Sequence, residues 1–145
     1  MTTPMLHGRC LCGAIRYELE PPLLRFAHCH CSRCRRATGS SHASNLYAEP
    51  DRFRWISGQD SLRRYDLPSA QSFATTFCIV CGAPVPHATR SGREIVVPAG
   101  SLDGQPPLAP SADIFFGSRP RWSCANYTLP RFEAYSDGWR RAPSG

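Results

Sequence analysis

The sequence contains no lysine: all seventeen of its basic residues are arginine, and against eleven acidic residues they leave a net charge of +6. The first reading of that absence is base-composition bias in the coding genome. The functional counterpart is a surface that attracts anions, whether nucleic acid or a carboxylate-bearing substrate. The arginines form no single block, which argues against a surface that tracks a nucleic-acid backbone. Also missing is any window near the roughly 20 apolar residues needed to cross a bilayer. The opening residues, MTTPMLHGRC, lack a basic start followed by an apolar run. These absences predict a soluble, cytoplasmic protein with no membrane partner. There is no long apolar pattern of helical period, no linker-length segment and no repeat beyond paired cysteines. One domain over residues 1–145 is therefore expected.

What the chain has instead is sulfur. Of eight cysteines, seven sit in ligand-like spacings: Cys10-Leu11-Cys12, Cys29-His30-Cys31-Ser32-Arg33-Cys34, and Cys78-Ile79-Val80-Cys81-Gly82. In a reducing compartment disulfides do not persist, so clustered cysteines favour metal or redox chemistry. In an extended segment, side chains two apart share a face, so Cys29 and Cys31 point together while His28 and His30 point away. Two further residues let a tight turn return Cys34 to the same point. Arg33, Arg35 and Arg36 flank the cluster, where their charge favours thiolate over thiol.

The rest of the chain reads as short strands. Gly13 to Leu19 alternates small or apolar residues with polar ones up to Pro21-Pro22, and Leu24 to Cys31 is a second extended run. Ser32 is the expected N-cap of a short helical turn through Ala37, stopped near Gly39. Ala43–Ala48, Phe53–Ile56 and Ser61–Leu67 are strand candidates separated by strong turn chemistry. Ser72–Phe77 alternates around Phe73, Thr75 and Phe77. Pro84 and Pro86 allow at best an edge strand. Glu94–Val97 and Asp113–Phe116 read as strands, and Trp122, Tyr127, Phe132, Tyr135 and Trp139 supply large apolar surface. Fourteen prolines and eleven glycines fit a mainly β fold with short helical turns.

A structural zinc site takes four tetrahedral ligands, usually as two short pairs, and Cys10 and Cys12 with Cys78 and Cys81 make such a set. Cys29, Cys31 and Cys34 then form a three-thiolate site with an open position, the pattern of a metal that meets water or substrate. The spacing also allows Cys10 and Cys12 to join two of the central three, leaving Cys78 and Cys81 as a redox dithiol. It does not separate zinc from an iron–sulfur cluster. His7, His28, His30, His42 and His87 read as surface or packing residues, and Cys124 as a buried free thiol.

Three stretches in this order carry a family resemblance: Gly8-Arg9-Cys10-Leu11-Cys12-Gly13-Ala14-Ile15-Arg16-Tyr17, Cys29-His30-Cys31-Ser32-Arg33-Cys34-Arg35-Arg36, and Phe77-Cys78-Ile79-Val80-Cys81-Gly82. The chain resembles the glutathione-dependent formaldehyde-activating enzymes, whose domain also occurs in centromere protein V, from about Gly8 to Phe132. The resemblance implies a zinc-bearing β-tent of packed antiparallel sheets. It implies a structural zinc on Cys10, Cys12, Cys78 and Cys81 and a more labile catalytic zinc on Cys29, Cys31 and Cys34. It further implies carbon–sulfur lyase chemistry that joins a small thiol such as glutathione to a small aldehyde such as formaldehyde. Ala83-Pro84-Val85-Pro86 departs from the more aromatic strand common in the family. On the residues alone, a thiol held as thiolate beside a carbonyl is the expected chemistry, with Arg33, Arg35 or Arg36 pairing a carboxylate. The rival expectation is a non-enzymatic zinc module that binds nucleic acid or a protein partner, using Arg54-Trp55 and Arg121-Trp122.

Overall fold

Proline and glycine punctuate this sequence so often that each alternating run ends after a few residues, and the chain closes into small ladders. The computed structural model describes residues 3–123 and 128–139. Its strands are β1 (Leu6–Arg9), β2 (Arg16–Leu19) and β3 (Arg25–Cys29), then helix α1 (Ser32–Thr38). They continue as β4 (Ala43–Ala48), β5 (Phe53–Ser57), β6 (Leu62–Asp66), β7 (Ala74–Cys78), β8 (Pro84–Val85), β9 (His87–Ala88), β10 (Ile95–Pro98) and β11 (Ala112–Ile114). Three sheets result, ordered β1-β2-β5, β11-β3-β4-β10-β9 and β6-β7-β8. The mainly β expectation holds. All pairings between these strands are antiparallel except β11 with β3, which is parallel because a long connection returns the chain to that edge.

Register decides which residues meet. In the middle sheet Phe26 lies opposite Leu46, and Leu46 opposite Val97. These three share a face and join Tyr17, Leu19, Ala48 and Ile95 in the main core against the first sheet. Burying each such side chain stabilises the fold by roughly 1.5–3 kcal/mol. The opposite face of the middle sheet carries Cys29, Asn45, Tyr47 and Val96, and it lines a cavity with residues near β7. Gly8 on β1 lies against the Tyr17 ring so closely that a Cβ there would sit 2.2 Å from Cζ. Tyr17 then reaches Ser101, oxygen to oxygen at 2.6 Å.

Several expectations shift in detail. The N-cap of α1 is Cys31 and not Ser32: the Cys31 sulfur accepts the Cys34 amide, which leaves Ser32 as the first helical residue. Helix α1 ends at Gly39 in the left-handed region, as expected. On β7 the buried residues are Ala74, Thr76 and Cys78, while Phe73, Thr75 and Phe77 lie on the half-buried face. Cys78 has to point inward to reach its sulfur partners, and the alternation follows it. The last strand stops at Ile114, because Phe115 turns to φ 52. Trp122, Phe132, Tyr135 and Trp139 are exposed, since the inner faces of the sheets are filled by earlier residues. Tyr127, Cys124 and the tail from Arg140 lie outside the described residues. Among the described residues, no helix is long and apolar enough to cross a membrane.

Candidate metal centre

Two groups of sulfurs converge, and both are built from turns at strand ends. Cys10 follows β1, and its turn closes through the Gly13 amide to the Cys10 carbonyl at 3.1 Å. Cys78 ends β7, and its turn closes through the Gly82 amide to the Cys78 carbonyl at 2.7 Å. Gly82 sits at φ 75, a conformation that a side chain at that position would resist. Each turn aims a backbone amide at sulfur: Ile15 donates to Cys10 Sγ at 3.3 Å and Val80 to Cys78 Sγ at 3.4 Å. The Sγ atoms of Cys10, Cys12, Cys78 and Cys81 all lie within 4.8 Å of one another. This convergence of Cys10 and Cys12 on Cys78 and Cys81 excludes the alternative pairing with the central cluster.

The second group forms where β3 turns into α1. Cys29 closes the strand, Cys31 caps the helix and Cys34 lies one turn in, with all three sulfurs again within 4.8 Å. All seven cysteines are free thiols.

The donor sets fit zinc. Sulfurs bound to one tetrahedral zinc at about 2.3 Å stand about 3.8 Å apart, whereas a disulfide would hold them at about 2.0 Å. Cys10 to Cys12 is 3.6 Å and Cys12 to Cys78 is 3.9 Å. The thiol acidities point the same way, because thiols this close cannot all ionise without a cation between them. Hydrogen bonds from the Ala83 and Cys12 amides bring Cys81 down to about 6, while its neighbours' thiols and slight desolvation push Cys12 up to about 11 despite the Ala14 amide. In the second group, burial and the nearby Cys29 and Cys31 sulfurs push Cys34 far above the usual thiol range. Cys31 is lowered: burial opposes ionisation there, but the Cys34 amide and the Cys29 and Cys34 thiols outweigh it.

A cavity of about 520 Å³ opens on the second group, and Cys29, Cys31 and Cys34 form part of its lining. Phe73 and Ile114 pack directly against these cysteines. Asn45 and Tyr47 reach the cavity from β4, His87 from β9 and Phe115 from the turn after β11. Of the three arginines that flank the cluster in sequence, Arg33 lines this cavity and Arg35 and Arg36 do not. A larger cavity of about 900 Å³ lies under the loop of residues 99–110, but no titratable or sulfur-bearing side chain lines it.

Residues 5–118 match the family described as glutathione-dependent formaldehyde-activating enzyme. The chain belongs to that family. A crystal structure of a Rhodobacter sphaeroides protein is similar to it at 31% sequence identity, covering 74% of this chain and 98% of that one, with a TM-score of 0.59. No curated protein matches the chain. In this member of the formaldehyde-activating family the cysteine groups can therefore hold zinc, in a mainly β fold of three sheets.

Sequence reasoning did not find the residues around the sulfurs. Asn45, Tyr47 and His87 reach the cavity through strand pairing, and Phe73 from the residue before β7; Cys29 faces Ala43, so Asn45 and Tyr47 follow on the same side, and His87 pairs with Val96. Burial, with a further contribution from Arg64, takes His87 down to about 4. His28 on β3, His30 just after it and His42 just before β4 do not line this cavity and gather in one cluster. His42 lies 4.3 Å from His28 and 5.0 Å from His30, centroid to centroid. His30 is buried and its Nε2 bonds Asp113 at 2.9 Å, which holds the Asp113 carboxyl below the usual range.

Proposed function

We propose that this protein is a zinc-dependent carbon–sulfur lyase that adds a thiol such as glutathione to an aldehyde, or exchanges one, in the cavity beside Cys29, Cys31 and Cys34. The observation that carries the reading is the contrast between the two sulfur groups. Cys10, Cys12, Cys78 and Cys81 would fill all four positions of a tetrahedral ion and join the β1–β2 turn to the β7–β8 turn, so this group is assigned to structure. Cys29, Cys31 and Cys34 would leave one position of such an ion open, and that group faces a cavity. Zinc held there would supply an open coordination position that favours the thiolate form of an incoming thiol.

The chain's own residues would supply the rest. Cys29, Cys31 and Cys34 would hold the ion, and the Cys34 amide, donating to Cys31 Sγ, orients one of these three side chains. Phe73 and Ile114 exclude water from the sulfur side of the cavity. Arg33 pairs with a carboxylate of the thiol substrate. Three thiolates on one divalent ion leave the centre with net negative charge, so holding a thiolate is better supported than strong polarisation of a carbonyl.

The test is exchange spectroscopy by NMR on glutathione, formaldehyde and their hemithioacetal. Purified zinc-loaded protein should accelerate exchange, and Cys34→Ser should abolish the acceleration. Equal exchange rates with and without the wild-type protein would refute the reading.

A further inference from the structure

The cavity beside the thiol triad is far larger than the smallest aldehyde needs. Its volume is about 520 Å³, whereas formaldehyde has two heavy atoms and fills a space comparable to one or two waters at about 30 Å³ each. Its walls are also of two kinds. Asn45, Tyr47 and Thr89 are polar and, with Arg33, suit the amides and a carboxylate of a tripeptide thiol. Phe73, Ile114 and Phe115 are apolar, and formaldehyde carries no apolar group to seat on them.

The apolar wall begins at the reacting end, because Phe73 and Ile114 pack on the cysteines themselves. Phe115 continues it outward and is 64% exposed. Its backbone is unusual: among the described residues it is the one non-glycine residue with positive φ, at 52 degrees. Bulky L side chains avoid that region, and residues held there cluster at functional sites. Two hydrogen bonds hold the turn in place. The Ser118 amide donates to the Phe115 carbonyl at 3.0 Å, and the His30 amide donates to the Ile114 carbonyl at 3.0 Å. An exposed phenyl is thus kept on the wall of the cavity beside the cysteines by a turn that two backbone hydrogen bonds hold.

We infer that the aldehyde partner carries an aryl or branched alkyl group, seated on Phe115 and Phe73 while its carbonyl faces Cys29, Cys31 and Cys34. This rests on the thiol–aldehyde reading above. In the addition, a bond forms between the thiol sulfur and the carbonyl carbon. The π pair of the carbonyl moves to oxygen, and the proton lost by the thiol ends on that oxygen. Nothing is oxidised or reduced.

The experiment compares kcat/KM for adduct formation from glutathione with formaldehyde and with phenylacetaldehyde, each corrected for the rate without protein. It uses the zinc-loaded wild type, Phe115→Ala and Phe115→Gly. The wild type should favour phenylacetaldehyde by about tenfold or more, the discrimination expected from an apolar contact. Both variants should lose most of that preference, read as the ratio of the two kcat/KM values within each protein, and Phe115→Gly should melt no lower than wild type because glycine accepts the positive φ. Formaldehyde turnover with no preference, or with a preference unchanged in both variants, overturns the inference and leaves the lyase reading intact. No turnover of either aldehyde overturns both.

Discussion

The sulfur of Cys31 accepts the backbone amide of Cys34 at 3.3 Å, so the residue that caps α1 is also one of the three thiols facing the cavity. A helix of seven residues is marginal by itself, and here its first turn is organised by the same atom that would bind metal. Folding of the loop and assembly of the triad are therefore one event.

Cys31 separates capping from metal binding. Serine is a good N-cap, so Cys31→Ser should keep α1 and lose the ion at the triad, taking metal content from two per chain to one with the far-ultraviolet circular dichroism unchanged. Cys31→Ala should lose the same ion and a further ~1 kcal/mol from the missing cap. Elemental analysis and urea unfolding of both variants read the two effects. Two ions retained in Cys31→Ser would contradict the assignment.

The two sulfur groups should differ in what their loss does to the fold. Cys78 is fully buried and its group joins turns from two different sheets. Cys78→Ser should lower the melting temperature by more than about 10 °C, since zinc contributes about 10–16 kcal/mol to folding in small zinc-binding peptides. Cys34→Ser should lower it by a few degrees at most beyond the loss of its own packing. Differential scanning calorimetry with and without chelator makes the comparison, and equal losses would erase the proposed division of roles.

His87 should make stability fall in mild acid. Burial takes its pKa from 6.5 to about 4, so between those values the unfolded chain binds a proton that the folded chain does not. Its contribution is complete above pH 6.5, is lost progressively from 6.5 down to about 4, and changes no further below that. The span is worth about 3 kcal/mol. Urea unfolding of His87→Gln at pH 7 and pH 4.5, at the same zinc concentration as wild type, should show a smaller pH-dependent loss than wild type. An identical loss in both proteins would mean that His87 takes up its proton normally.

Gly8→Ala should destabilise although it adds one methyl group. The new Cβ would sit 2.2 Å from Tyr17 Cζ, and Tyr17 is buried and held to Ser101. Displacing that ring should cost about 1–3 kcal/mol, the usual range for overpacking. Chemical denaturation measures it, and a change under 0.5 kcal/mol, on the order of a neutral surface substitution, would show that the ring has room to move.

The legible part of this protein was local. Spacing alone placed Cys10 with Cys12, Cys78 with Cys81, and Cys29, Cys31 and Cys34 in one turn, because each grouping is closed by backbone hydrogen bonds within a few residues. Strand positions were readable for the same reason, since turn residues and alternation act over short distances. Cys31 and not Ser32 is the cap, and a sulfur acceptor there is invisible to rules built on oxygen side chains.

The partners of those local pieces were decided by tertiary structure. The meeting of Cys10 with Cys78, sixty-eight positions on by residue number, follows from the four ligands a structural zinc needs and from the family resemblance, not from local spacing, and nothing near Cys29 says that Phe73, Tyr47 and Ile114 surround it. Those neighbours depend on which strands pair and in which register, and a one-residue slip would turn every side chain of a strand to the other face. The sequence by itself determined two sulfur turns, a three-cysteine loop and a mainly β chain. Only the packing of three sheets set one group against a cavity and the other between turns, because contacts between distant segments are selected by the whole buried surface and not by any single stretch.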